Sequence, residues 1–209
     1  MADANNKIDH SKVTPGEVKD KEDILLAVIE PNNWSNGTFS KQGFQRKHLK
    51  DRSLSVARQP YSSPSRFKFF VLDIIFLRPG KIDRGVARFN TQSLRKLSNN
   101  DGENQFVILD APLPIKNKID FAHAHIGFSD KTIEKGNSEQ LAAALNLREL
   151  VENSGEPKNV TEQFAPFPWL YLRASELKLL FLKIKIRING AGKHFLKQAN
   201  QPNKEGETQ

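Results

Sequence analysis

Short apolar runs separated by turn-forming residues dominate the first three quarters of the chain. Ile24-Leu25-Leu26-Ala27-Val28-Ile29 is continuously apolar and closed by Glu30-Pro31. Its length and β-branched content predict a buried strand. Leu54-Ser55-Val56-Ala57-Arg58 alternates apolar with polar positions and predicts a second strand. Gly85 to Phe89, Phe106 to Leu109 and Ala122 to Phe128 predict three more, the fourth ended by Asp110 and two prolines. Phe67 to Leu77 is almost wholly apolar and fits a buried helix or a strand; its aromatic and β-branched enrichment favours a strand. From Leu182 to Ile188 the alternation is strict, with Leu182, Ile184, Ile186 and Ile188 on one side and Lys183, Lys185 and Arg187 on the other. That pattern predicts a half-buried strand with a cationic face.

Helical periodicity is clearest over Asn137 to Asn153, where Ala144, Leu147, Leu150 and Val151 fall on one face. Asn137 and Gln140 have the spacing of a capping box, and Asn153-Ser154-Gly155 stops the helix. Ser40 is placed to cap a short helix running through Phe44, with Phe39 packing ahead of it, and Thr91 to cap one through Leu97. Asn99-Asn100-Asp101-Gly102 is a turn. The expected fold is α+β: one mixed or antiparallel sheet of about five or six short strands, a helix at 137–153 and loose termini. Residues 1–23 read as a polar, disordered arm, 24–153 as the core, and 154–209 as a basic extension that is partly strand with a disordered tail.

Charge changes this picture more than overall composition does. The net charge of the 209 residues is +8. Residues 1–39 carry four lysines against seven acids, residues 40–96 fourteen Lys/Arg against three, residues 97–166 six against eleven, and residues 167–209 eight against three. The positive charge is concentrated in the second quarter, and a concentrated positive field attracts anions. The densest run is Arg46-Lys47-His48-Leu49-Lys50-Asp51-Arg52, with Phe44, Tyr61 and Phe67 nearby as stacking surfaces.

Several chemistries are excluded. There is no cysteine, so disulfides, thiolate metal sites and cysteine nucleophiles are ruled out. No glycine-rich phosphate loop and no Gly-x-Ser-x-Gly elbow is present. The first twenty residues lack the apolar stretch of a secretory signal, and no apolar run reaches the roughly 18 residues of a membrane span. A cytoplasmic protein is expected, with no cofactor. Two of the five histidines, His123 and His125, sit one residue apart. In a strand their imidazoles share a face. A metal there would need a carboxylate such as Asp110 or Asp130 as third ligand, and no metal site is expected.

Trp34-x-x-Gly37-x-x-Ser40-x-x-x-Phe44, Leu54-Ser55-Val56-Ala57-Arg58, Asp110-Ala111-Pro112 and Ala122-His123-Ala124-His125-Ile126 follow one another in an order that resembles a loose group of small bacterial proteins of unknown function. That group has Asn-Pro-Ala-His where this chain has Asp120-Phe121-Ala122-His123. The resemblance implies a bacterial origin and no particular activity, and it groups Ser40, Arg58 and His123 as one constellation. Two function classes follow. The first is a module binding nucleic acid or another polyanion through Arg46, Lys47, Lys50, Arg52, Arg58, Lys183, Lys185 and Arg187. The second is a small enzyme for a phosphate-bearing or nucleotide substrate, such as a toxin or defence effector. In that enzyme His123 is the acid or base, Arg58 the anion clamp, and Ser40 or His125 an accessory group. It requires Ser40, Arg58 and His123 to line one pocket.

Overall fold

A computed structural model of the protein describes residues 15–115 and 118–164 and, beyond these, positions 176, 177, 180, 181 and 184. In chain order the elements are strands β1 (Asp23–Glu30), β2 (Trp34–Ser35) and β3 (Thr38–Phe39), helix α1 (Arg46–Lys50), strand β4 (Leu54–Arg58) and helix α2 (Pro64–Leu77). Strand β5 (Ile82–Asn90), helix α3 (Thr91–Arg95), strands β6 (Phe106–Asp110), β7 (Leu113–Ile115), β8 (Lys118–Asp120) and β9 (His123–Phe128), and helices α4 (Asp130–Glu134) and α5 (Asn137–Asn153) follow. Five strands form one sheet in the order β5-β1-β4-β9-β6, every neighbouring pair antiparallel, so the α+β expectation is met.

The period of two sorts the strand residues onto two faces. Ile24, Leu26, Val28, Val56, Ala87, Phe89, Phe106, Ile108, Ala124, Ile126 and Phe128 build the main core with Ala143, Ala144, Leu147 and Val151 of α5. Leu25, Ala57, Val86 and Ala122 build a smaller core on the opposite face with Phe67 of α2 and Val160. Strand β1 is covered on both faces, which is why it reads as an unbroken apolar run.

The apolar segment 67–77 is helix α2 and not a strand. A run of this length exceeds an ordinary strand, and the start is favourable for a helix. Pro64 occupies the first helical position, and the Ser63 hydroxyl accepts a hydrogen bond from the Arg66 N–H at 3.3 Å. The capping box at Asn137 does not form: Gly136, at φ +86°, is the cap, and Gln140 turns back to donate to the Ile133 carbonyl at 3.2 Å. Asn90 and not Thr91 caps α3, its side chain accepting from Gln92 N–H at 2.8 Å. Thr91 is buried and donates instead to the Glu22 carbonyl at 2.9 Å. Ser40 caps the 3-10 turn Lys41–Phe44 as expected.

The folded part is wider than 24–153. Val18 is buried in the main core, and the segment from Gly16 to Glu22 is bonded to the sheet, so only residues 1–14 of the expected arm lie outside the described residues. At the other end Lys158 exchanges backbone hydrogen bonds with Val86 at 2.9 and 3.0 Å, and the Gln163 side chain donates to the Val86 carbonyl at 2.6 Å. This segment covers the outer edge of β5, which would otherwise present unpaired backbone groups. The approach is close: a Cβ on Gly85, at φ +110°, would lie 2.6 Å from the Lys158 carbonyl oxygen. Most of the expected strand 182–188 and the tail 198–209 fall outside the described residues, while Ile184 is helical and exposed rather than part of a strand.

Candidate functional site

Arg58 closes β4 and is 0% exposed. A guanidinium has five N–H donors. Its Nε donates to Glu22 Oε2 and its Nη2 to Glu22 Oε1, both at 2.7 Å. Nη1 donates to Asp110 Oδ1 at 2.9 Å and to the Gly16 carbonyl at 2.8 Å, and Nη2 reaches the Glu17 carbonyl at 3.3 Å. The Tyr61 ring lies against the cation, 4.6 Å from Cζ to the ring centroid. Burial opposes the charge, but Glu22 and Asp110 outweigh it and hold the Arg58 pKa above its ordinary value. All five donors are used within the fold. Arg58 fastens the 16–22 segment to the sheet and has none left for a substrate anion.

The cross-strand register separates Arg58 from His123. Ala57 pairs with His123 and Ser55 with His125, which puts both imidazoles on the face of the smaller core. Asp110 pairs with Ala124 and follows Phe106 and Ile108 on the main-core face, where Arg58 meets it. Ser40 also belongs to the main-core side, between Phe39 and Phe44, and its hydroxyl accepts from Gln42 N–H at 3.2 Å. The expected trio of Ser40, Arg58 and His123 is therefore not assembled, because alternate residues of β4 face opposite ways and the sheet lies between them.

His123 and His125 stand side by side as the spacing predicts, ring centroids 4.7 Å apart and nearly perpendicular. Nδ1 of His123 lies 2.5 Å from the Ala111 carbonyl oxygen. A carbonyl only accepts, so Nδ1 carries the proton and Nε2 is left as an acceptor. Burial pushes both imidazoles below their usual pKa; the Ala111 contact opposes this at His123, while His125 adds to it.

His123 lines a cavity of about 90 Å³ beneath α2, shared with Ser62, Asp120 and an apolar wall that includes Leu25, Ala57, Phe67, Phe70 and Leu113. Asp120 accepts from the Ala122 N–H at 3.0 Å. Burial raises its pKa to about 6, against the downward pull of that bond and of Arg66. A larger cavity, of about 220 Å³, lies beside β5 near Lys68, Asp83 and Arg84, and none of the expected site residues lines it.

The raised Asp120 pKa has a testable consequence for stability. Below the unfolded value, 3.8, the carboxyl is neutral in both states; above about 6 it is ionised in both, and the folded state bears the cost of a buried charge. Stability from this group therefore falls as pH rises from about 4 to about 6, by on the order of 3 kcal/mol in full. Asp120→Asn keeps an acceptor for Ala122 and removes that charge. It is expected to stabilise the protein at pH 7 and to be nearly neutral below pH 4, as measured by urea unfolding at both pH values. Equal effects at both would contradict the assignment.

The fold pairs five of the fourteen cations of the basic second quarter with carboxylates. Arg52 pairs with Asp130, Arg84 with Glu30, Arg88 with Asp23 and Arg95 with Asp20, in addition to the buried Arg58 cluster. Strand β1 lies between β4 and β5, so the acidic N-terminal segment is laid against the basic one. Nine cations of the basic segment form no ion pair among the described residues; Arg66, Lys68, Arg78, Lys81 and Lys96 are spread over residues 66–96, whereas the other four are gathered on the 3-10 turn and α1. Lys41, Arg46, Lys47 and Lys50 are exposed, and among the described residues no carboxylate lies within ion-pair distance of them. Leu49 is buried and anchors α1, and Arg46 Nη1 donates to the Asn137 carbonyl at 3.4 Å. Phe44 and Phe67 are buried, so they offer no stacking surface, and Tyr61 is against Arg58. Lys183, Lys185 and Arg187 lie outside the described residues.

Among the described residues no three His, Asp or Glu side chains are grouped to hold a metal ion. Asp110 is on Arg58 and Asp130 on Arg52, so neither of the considered third ligands reaches the histidine pair. No helix among them is long and apolar enough to cross a membrane. Sequence reasoning missed Asp120 and Ser62. Their signals were an acid three residues before His123 and a serine bracketed by Pro60 and Pro64, neither distinctive alone. Compared with known proteins, the chain matches no protein-family model, no curated protein and no solved structure.

Proposed function

We propose that this protein binds a polyanion, nucleic acid foremost, through the surface formed by Lys41, Arg46, Lys47 and Lys50. The observation that carries this reading is the clustering of unpaired cations. Five arginines of the basic segment are matched by carboxylates, whereas these four cations occupy one turn and one short helix with none. Unpaired cations on a rigid, anchored turn engage phosphates without first breaking ion pairs. With the aromatics buried, binding is electrostatic and indifferent to sequence. A bacterial, cytoplasmic setting goes with this reading.

Four phosphate contacts imply a salt slope of about −3.6 for duplex DNA, hence a loss of roughly 100-fold in affinity between about 50 mM and about 200 mM salt. Fluorescence anisotropy with mixed-sequence DNA and RNA measures this. The combined Arg46→Gln, Lys47→Gln, Lys50→Gln variant is expected to bind at least about 10-fold more weakly at low salt and with a slope smaller by about 2.7. No binding by the native chain at low salt, or an unchanged slope in the variant, would overturn the proposal.

A further inference from the structure

We propose that the cavity beneath α2 binds a primary alkylammonium group, held by Asp120, His123 and Ser62. The inference is independent of the α1 surface, which lies elsewhere in the chain and uses none of these residues. Three polar side chains, each more than nine-tenths buried, line one small cavity with the exposed Ser55, and its remaining walls are apolar. Asp120 uses Oδ1 for the Ala122 N–H and makes no other hydrogen bond among the described residues. His123 is protonated on Nδ1 by its bond to Ala111, so Nε2 presents a lone pair and no proton. Among the described residues the Ser62 hydroxyl has no hydrogen-bond partner.

The buried part of the cavity therefore offers three acceptors, one of them anionic, and one hydroxyl proton, and the exposed Ser55 hydroxyl adds one further acceptor and donor. An ammonium head has three N–H donors and a positive charge, which matches that set. A carboxylate or phosphate would face Asp120 and two more lone pairs, and a hydrocarbon would leave all three acceptors unmet. The Phe67 and Phe70 rings and Leu25 suit the methylene stem and tolerate a nearby cation. Arg66 acts on Asp120 through space without forming an ion pair, so the carboxylate is not already neutralised. Burial also disfavours the lone Asp120 charge, and an entering cation relieves that cost.

Against the 150 Å³ or so that holds benzene, about 90 Å³ admits roughly four non-hydrogen atoms: the nitrogen and a short alkyl stem. A longer chain would leave past Leu113, 38% exposed at the rim. Free small amines and a lysine side chain share this chemistry. Titration calorimetry on the full chain at neutral pH with propylammonium, Nα-acetyl-lysine methylamide, 1-propanol and propionate separates the cases. Propylammonium is expected to bind no tighter than about 40 µM, the ceiling for four atoms. It should bind at least 10-fold more tightly than 1-propanol, with propionate silent. Asp120→Asn and Ser62→Ala are expected to weaken it, and Arg66→Ala to strengthen it. Binding of the lysine derivative as well assigns the site to a partner's lysine; its exclusion assigns it to a free amine. No heat with either amine, 1-propanol binding as well as propylammonium, or full affinity in Asp120→Asn would overturn the proposal.

Discussion

Replacing Arg58 with alanine is expected to lower the unfolding free energy by about 3–5 kcal/mol. The guanidinium is 0% exposed and satisfies two carboxylates, each 8% exposed, and two backbone carbonyls at once. Its loss takes from the buried Glu22 and Asp110 carboxylates the guanidinium that pairs with both. It also unties the 16–22 segment, whose Val18 fills the main core. Lysine is a poor replacement, because a single ammonium cannot span Glu22 and Asp110 with the same fork. Removing the charges together reverses the logic: Arg58→Met with Glu22→Gln and Asp110→Asn is expected to recover much of the loss, since a buried ion cluster can often be exchanged for neutral residues at little cost. Urea unfolding followed by circular dichroism on the single and triple variants tests both statements. A loss below about 1 kcal/mol for Arg58→Ala would show that water already reaches the cluster.

Phe128→Ala is expected to cost about 3–5 kcal/mol for a different reason. Phe128 is 0% exposed at the end of β9, and its ring lies 5.8 Å from that of Phe106 on the neighbouring strand. Both belong to the layer that α5 covers with Ala143, Ala144 and Leu147. The sheet on one side and the helix on the other limit collapse into the space, so the cavity term adds to the lost transfer energy. Phe128→Leu, which retains most of the volume, should cost less than half as much. Similar losses for the two would mean that ring shape, rather than filled volume, sets the stability here.

The two residues differ in how readable they were. Phe128 belongs to the run Ala122 to Phe128, whose alternation already places Ala124, Ile126 and Phe128 on one face and the two histidines on the other. Strand periodicity is local, so five strands of the sheet and the helix 137–153 were legible from neighbours along the chain. Segment 67–77 was not, because a run with only Lys68 and Asp73 among apolar residues has too little polar pattern to distinguish a strand from a helix, and burial alone favours both. The cap residues were half legible: Ser40 caps its turn, but Gly136 displaced Asn137 because a left-handed residue was needed where α4 turns into α5.

Arg58 was legible only as a charge. The sequence determined that it ends a strand, that His123 and His125 share a face, and that positive charge is gathered in residues 40–96. It could not determine which charges meet, because Glu22 and Asp110 lie 36 and 52 residues away and reach Arg58 only through the strand order β1-β4-β9-β6. The same order sets acidic β1 between two basic strands and pairs part of the positive charge that the linear sequence displays. It also puts the sheet between Arg58 and His123, and it brings Asp120 and Ser62 to His123 instead. Electrostatics and pockets act across space, with a strength set by distance and burial, and only the tertiary structure decides those.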